Sequence, residues 1–114
     1  MQSQTAIKDD IHRLFNVYRE LMPDIAGPHD ELVGEAYKDG ALPAKTKRIM
    51  AMAVAMTHGC SGCILFQLDQ ALELGADTAE ILEACAVATS IGGTMASAET
   101  ARVVALLQER GRIG

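Results

Sequence analysis

Apolar residues recur along this chain at the spacing of amphipathic helices. From about Thr5 to Met22 they fall every three or four residues, which places them on one helical face. Proline or glycine separates this segment from further segments with the same spacing. These segments predict helices at about Pro28–Lys38, Pro43–His58, Cys60 or Ser61 to Leu74, Thr78 to Gly92 and Thr94–Glu109. Because the connections are short, we expect neighbouring helices to pack antiparallel in a compact all-α bundle of about six.

Two boundaries and one burial pattern are specific expectations. Pro23 and the Gly27-Pro28 pair are expected to separate the first helix from the second, and Gly92-Gly93 is expected to break the fifth from the sixth. The third helix carries Ile49, Met52, Ala53 and Met56 on one face. Its other face, with Met50 and Val54, is also apolar, so this helix is expected to be buried nearly all round.

Composition supports a single helical domain. The 114 residues are 49% hydrophobic but only 4% aromatic, with no Trp, a composition that favours helices over strands. A chain of this length can bury one hydrophobic core. A net charge of −5 and scattered basic residues argue against nucleic-acid binding. Neither a secretory signal nor an uninterrupted apolar run of membrane-spanning length is evident. A cytoplasmic protein with no membrane partner is therefore expected.

Cys60 and Cys63 form a CxxC pair at the predicted start of the fourth helix. This placement brings the side chains within reach of a disulfide, and the helix N-terminus stabilises a thiolate, which favours Cys60 as the thiol of lower pKa. The alternatives are two packed apolar thiols, or a zinc site in which His58 joins the pair, although a fourth ligand is not evident. Cys85 lies on an apolar helical face and is predicted to pack in the core.

Three consecutive motifs resemble those of one known family. They are an alanine-rich helix entered through LPAKTK, the segment GCSGCILFQ, and the segment LELGADTAEILEACAVATSIGG. Over about Leu42 to Ala98 the chain resembles the AhpD-like, carboxymuconolactone decarboxylase family. The resemblance implies an all-α fold, homo-oligomers that are commonly trimers or hexamers, and no cofactor. In the AhpD branch it also implies a peroxidase reaction at the cysteine pair, with a dithiol such as protein-bound dihydrolipoamide as reductant and a peroxiredoxin as possible partner.

The resemblance assigns Cys63 as the peroxide-attacking thiolate and Cys60 as the resolving thiol, whereas the helix-dipole argument favours Cys60, so both assignments stay open. Two residues depart from the family pattern. Gln67 stands where the family has a histidine, and Arg48 stands where it has a glutamate. Neither residue titrates near neutral pH, so they cannot form the family's proton relay. His58 is the remaining candidate base near the pair, and the alternative for it is an interaction with free carbonyls at the end of its helix.

The leading functional prediction is an alkylhydroperoxidase-like thiol-disulfide oxidoreductase that reduces hydroperoxides or an oxidised peroxiredoxin-like partner. One alternative is lactone decarboxylation, the reaction that names the wider family, which has no obvious need of a CxxC pair. The other is a non-catalytic oligomer whose assembly responds to oxidation of the pair.

Overall fold

The computed structural model describes residues 2–114 and contains five α-helices. They are α1 (Gln4–Leu21), α2 (Pro23–Tyr37), α3 (Ala44–His58), α4 (Ser61–Glu73) and α5 (Thr78–Glu109). No strand occurs in the described part of the chain, so the predicted all-α class is confirmed.

The core lies between α3, α4 and α5, and α3 packs against both of the others. Met52 and Met56 on α3 are fully buried, as are Leu65 and Leu68 on α4. Burial of such side chains is worth about 1.5–3 kcal/mol each, so this three-helix unit holds most of the hydrophobic stabilisation. It also fixes the place where α3 ends and α4 begins.

The outer face of α3 is not buried within one chain. Met50 and Val54 remain 50% and 57% exposed. The expectation that α3 would be buried nearly all round is therefore wrong for the single chain. The reason is that α3 packs mainly against α4 and α5 and much less against α2, and the face that carries Met50 and Val54 stays exposed.

The second helix begins earlier than its proline pattern indicated. It starts at Pro23, directly after the single residue Met22, and it contains Pro28 in its interior. Pro28 lacks the N–H that would bond the carbonyl four residues before it, which normally disfavours a helix interior. No residue of α2 is buried, so water can bond that carbonyl and the helix continues through the proline.

The predicted fifth and sixth helices form one kinked helix, α5. Gly93 has φ 68° and ψ −147°, which is not a helical conformation, so α5 consists of two helical segments joined by a kink at this residue. A Cβ atom at Gly92 would lie 2.9 Å from Thr57 Cγ2 on α3. The glycine pair thus provides a close helix contact and a kink, and the interruption predicted at Gly92-Gly93 is confirmed, although the two segments continue as one element.

By length and composition α5 is also long and apolar enough to cross a membrane. This is weak evidence for a span, because the core helix of a globular domain meets the same criterion. Ile81, Val103 and Leu106 of α5 are fully buried in the core.

Polar contacts attach α1 to the end of the bundle. Asp69 on α4 accepts Lys8 Nζ at 2.6 Å, and Arg110 binds the same carboxylate through Nε and Nη2 at 2.9 and 2.8 Å. Burial alone would raise the pKa of Asp69, but the hydrogen bonds from Arg110 and Lys8 outweigh it and lower this pKa. Asp69 is therefore held as a carboxylate that joins three helical segments.

Candidate redox site

Cys60 and Cys63 lie at the junction of α3 and α4. Gly59 ends α3 in the left-handed conformation, with φ 68°, and Cys60 is the N-cap residue of α4. The two cysteines are joined by a disulfide, with their Cα atoms 5.3 Å apart. Cys60 Sγ also accepts a hydrogen bond from the backbone N–H of Cys63, at 3.4 Å. The pair therefore occupies the helix N-terminus that the sequence predicted.

The two sulfur-bearing residues differ in their access to solvent. Cys63 is exposed, whereas Cys60 is half-buried. A reactant arriving from solvent thus meets Cys63 first. Cys60 sits where the free N–H groups of the helix start can stabilise negative charge on its sulfur.

The two glycines beside the pair are contacted by other helices. A Cβ atom on Gly62 would lie 3.0 Å from Cγ2 of Ile11 on α1, and one on Gly59 would lie 3.1 Å from Met95 Sδ on α5. The space next to these glycines is therefore filled by Ile11 and Met95. Access to the pair is therefore left to the side of the exposed Cys63.

Arg48 and Gln67, the two departures from the family pattern, contact each other. Arg48 Nη1 donates to Gln67 Oε1 at 3.0 Å, and Gln67 Nε2 lies 3.3 Å from the hydroxyl of Tyr37. The Arg48 guanidinium also stacks on the Tyr37 ring, with Cζ 3.7 Å from the ring centroid. Gln67 follows Cys63 by one helical turn on α4, so this polar cluster adjoins the disulfide.

Tyr37 is a site residue that sequence reasoning missed. It closes α2, and 30 residues separate it from Gln67. Nothing in the local pattern around Tyr37 indicates this contact, since its position resembles any other apolar helical position. The contact depends on how α2 packs against α3, which the sequence does not specify.

The histidines are placed differently from one another. His58 is the last residue of α3 and is exposed, and within residues 2–114 its imidazole makes no hydrogen bond. His12, which no sequence pattern singled out, stacks on Phe66 at a centroid distance of 6.2 Å. Phe66 is the neighbour of Gln67, so His12 borders the same surface.

Cys85, the third cysteine, is separate from the site. It is buried on α5 with 3% of its surface exposed, and burial raises the pKa of its thiol to about 11. The prediction that it packs in the core is confirmed. Its thiol stays protonated at neutral pH and is shielded from reactants.

The zinc alternative finds no support among the described residues. Over positions 2–114 no three His, Cys, Asp or Glu side chains are grouped so that they could hold one metal ion. The two candidate thiolates, Cys60 and Cys63, are bonded to each other.

Comparison with known proteins gives consistent matches. The model of the carboxymuconolactone decarboxylase family matches residues 23–106. An uncharacterized protein of Cupriavidus necator is 32% identical over 84 residues, which are 74% of each chain. An uncharacterized protein encoded in the cox locus of Paracoccus denitrificans is 36% identical over 73 residues, which are 64% of this chain and 66% of that protein.

Two solved structures share the fold. The crystal structure of an apo carboxymuconolactone decarboxylase family protein from Legionella pneumophila has a TM-score of 0.89 and 32% identity, and the match covers 96% of this chain and 97% of that one. A protein from Thermotoga maritima has a TM-score of 0.79 and 27% identity, with 90% of each chain covered. The helical arrangement described above is therefore found in other proteins.

Proposed function

The chain belongs to the carboxymuconolactone decarboxylase family, and from this premise we propose that it is an alkylhydroperoxidase-like thiol-disulfide oxidoreductase. Its reaction centre is the Cys60–Cys63 pair. The single observation that carries the proposal is the disulfide at the start of α4, with one exposed and one half-buried cysteine.

The chemistry follows from this arrangement. In the reduced protein the exposed Cys63 thiolate attacks the terminal oxygen of a hydroperoxide, which breaks the O–O bond, forms a Cys63 sulfenic acid and releases an alcohol after proton uptake. The Cys60 thiolate then attacks the Cys63 sulfur, and hydroxide leaves as water. The product is the Cys60–Cys63 disulfide, so the two thiols supply the two electrons that reduce the peroxide.

A dithiol closes the cycle by thiol-disulfide exchange. Its thiolate attacks the exposed Cys63 sulfur and displaces Cys60 as a thiolate. The hydrogen bond from the Cys63 N–H to Cys60 Sγ stabilises that leaving group. The second thiol of the reductant then releases Cys63 and completes the reductant's own disulfide. An oxidised peroxiredoxin-like protein is an alternative electron acceptor for the reduced pair.

At Arg48 and Gln67 activation is electrostatic, and His58, exposed at the end of α3, is the remaining candidate base near the pair. Gln67 and Arg48 cannot take up a proton at neutral pH, but the Arg48 guanidinium and the start of α4 both favour negative charge near the pair. We expect this arrangement to slow the reaction relative to a site with a Glu and His relay, because general-base catalysis typically contributes 10²–10⁴-fold.

A homo-oligomer is part of the proposal. The apolar face of α1 and the whole of α2 have little cover within one chain; Leu21 and Leu32 are 73% and 67% exposed. On α5, Ile91 is 85% exposed. Apolar surface of this extent favours association with further copies of the chain. The family resemblance suggests three or six copies.

A peroxide-consumption assay with excess dithiol tests the function. The parent is expected to consume an organic hydroperoxide catalytically, and Cys63→Ser is expected to lose this activity to the level of the uncatalysed reaction. Cys85→Ala is the matched control, since it removes a thiol that takes no part, and it should keep the parental rate. Equal rates for the parent and Cys63→Ser would refute peroxidase function.

A second comparison measures what the missing relay does. The double variant Arg48→Glu, Gln67→His restores the residue types of the family pattern at both positions. A rate gain of 10-fold or more would mean that the natural protein is specialised away from peroxides and toward another oxidant, such as a protein disulfide. If the double variant has the same peroxidase rate as the parent, and oxidation of the cysteine pair changes the assembly of the protein, the redox-responsive oligomer is favoured instead. Release of CO2 from a lactone acid by a variant lacking both cysteines would favour decarboxylation.

A further inference from the structure

Arg48 is a cation without an acidic partner in a chain that is rich in acids. The protein has 15 Asp and Glu against 10 Lys and Arg, and seven of the basic side chains form salt bridges within the described residues. Arg48 is not one of them. Its recorded hydrogen bond is to the uncharged Gln67 amide, so nothing in residues 2–114 neutralises its charge at close range.

The guanidinium is nevertheless held in a defined orientation. Tyr37 stacks on it from one side, Gln67 accepts one of its N–H groups, and Gln67 is itself bonded to the Tyr37 hydroxyl. A guanidinium has five N–H donors in a fixed plane, so four of them remain available. Nε and Nη2 have no hydrogen-bond partner among the described residues, and neither is a fully buried atom, so both retain some contact with solvent.

This cluster lies one helical turn from the reactive pair. Gln67 follows Cys63 by four residues on α4, a spacing that places two side chains about 5–6 Å apart at Cβ. Because Arg48 contacts Gln67, a ligand carboxylate paired with Arg48 would lie about one helical turn along α4 from the exposed residue Cys63. A planar guanidinium binds a carboxylate through two parallel hydrogen bonds, which orients such a ligand as well as attracting it.

We propose that Arg48, oriented by Tyr37 and Gln67, selects for a small dithiol reductant that carries a carboxylate. The proposal concerns the reductive half of the cycle, which starts from the Cys60–Cys63 disulfide present in the structure. The inference rests on the proposed function, since it names the substrate class of the reductive half of that cycle. The bonds formed and broken are those of the exchange described above, and the ligand carboxylate stays unchanged.

Dihydrolipoate and dihydrolipoamide are a matched pair of probes. They have the same dithiol and the same methylene chain, and they differ in ending with a carboxylate or a neutral amide. Each is mixed with the oxidised full-length protein, samples are quenched with an alkylating agent at set times, and disulfide reduction is followed by mass. For each variant the readout is the rate constant with dihydrolipoate divided by the rate constant with dihydrolipoamide. This ratio cancels any effect of a substitution on the general reactivity of the disulfide.

For the parent we expect dihydrolipoate to react about 10-fold faster than dihydrolipoamide at low ionic strength, with a smaller ratio in high salt. Arg48→Gln should bring the ratio close to one, and Arg48→Lys should give an intermediate ratio because it keeps the charge but loses the paired geometry. Arg112→Gln is the control, because Arg112 also lacks a salt bridge among the described residues. Arg112 lines a pocket with Leu72 and Glu73 at the opposite end of α4, so its removal should keep the parental ratio.

Two failures are distinguishable. The inference about Arg48 is overturned if the disulfide is reduced but the parent reacts equally fast with dihydrolipoate and dihydrolipoamide. It is also overturned if Arg48→Gln retains the parental preference for dihydrolipoate. In both cases the oxidoreductase function stands. If neither these probes nor dithiothreitol reduces the disulfide, the proposed function is overturned, and the inference with it.

Discussion

Glu109 shows how much a single carboxylate does at the edge of this bundle. It lies at the end of α5 and accepts hydrogen bonds from the backbone N–H groups of Gln4 and Thr5, at 2.7 and 2.9 Å, and from the hydroxyls of Ser3 and Thr5. These N–H groups belong to the start of α1, which has no intrahelical acceptor for them. The hydrogen bonds, with those from Thr5 foremost, lower the pKa of Glu109 to about 2.

Stability should therefore depend on the ionisation of Glu109. Its pKa is lower in the folded chain, about 2 against an ordinary value of 4.5, so its contribution is complete above pH 4.5 and is lost as the pH falls from 4.5 toward 2. We expect Glu109→Gln to be less stable than the parent at neutral pH and to lose less stability over that acid range. Urea unfolding at several pH values measures this. Glu83→Gln, at an exposed position of α5, should keep the parental pH dependence.

The structural environment of each cysteine was predictable because it is determined by neighbouring residues in the sequence. The CxxC spacing and the preceding Gly59 place the pair at a helix start, and Cys85 falls on the apolar face of its own helix. The partnership of Arg48 with Gln67 was not predictable in the same way. Both are departures from the family pattern, but their hydrogen bond depends on how α3 packs against α4, and their contacts with Tyr37 depend on the packing of α2, neither of which local sequence specifies.

At the scale of elements, helix ends were predicted well where a side chain or glycine determines them. Asp77 and Glu80 form the reciprocal capping box at the start of α5, and Gly59 ends α3. An error occurred where a helix breaker was tolerated. Pro28 is accommodated because α2 is exposed, whereas the interruption predicted at Gly92-Gly93 is present as a kink with non-helical backbone angles at Gly93.

Gly92 gives a test of the contact between α3 and α5. A Cβ atom there would lie 2.9 Å from Thr57 Cγ2 on α3, which forces the two helices apart, and 2.7 Å from Ala96 Cβ within α5 itself. We expect Gly92→Ala to lower the free energy of unfolding by about 1–3 kcal/mol, as measured by urea denaturation.

Gly34→Ala is the matched control for this substitution. Gly34 is also helical, on α2, but a Cβ atom there would meet nothing within 4 Å. It should be neutral or stabilising by up to about 1 kcal/mol. Equal effects of the two substitutions would show that the close contact at Gly92 does not matter for stability.

For the whole molecule, the all-α class and the helix order followed from apolar spacing, whereas the distribution of buried surface did not. The periodicity of α1 correctly indicated a helix with one apolar face, yet Leu14 and Leu21 on that face are 57% and 73% exposed. Periodicity identifies a face that is suited to burial, but it does not reveal whether the same chain covers it. The uncovered faces of α1, α2, α3 and α5 are the physical reason to expect partner copies.

Assembly can be tested by substituting this exposed surface. Light scattering should give a mass that is a multiple of the 12.1 kDa chain, and Leu21→Asp combined with Leu32→Asp should reduce it. Because both leucines are exposed in the single chain, the substitutions should leave its helical content unchanged by circular dichroism. A parent that is monomeric at micromolar concentration would contradict the proposed oligomer.

The redox role of Cys60 and Cys63 is tested most directly by treating the fully reduced protein with one equivalent of an organic hydroperoxide. Remaining thiols are then alkylated and located by mass spectrometry after unfolding. We predict loss of both thiols at Cys60 and Cys63, formation of a disulfide between them within the same chain, and an intact thiol at Cys85, which is buried. Free thiols at both Cys60 and Cys63 after exposure to the peroxide would contradict the proposal.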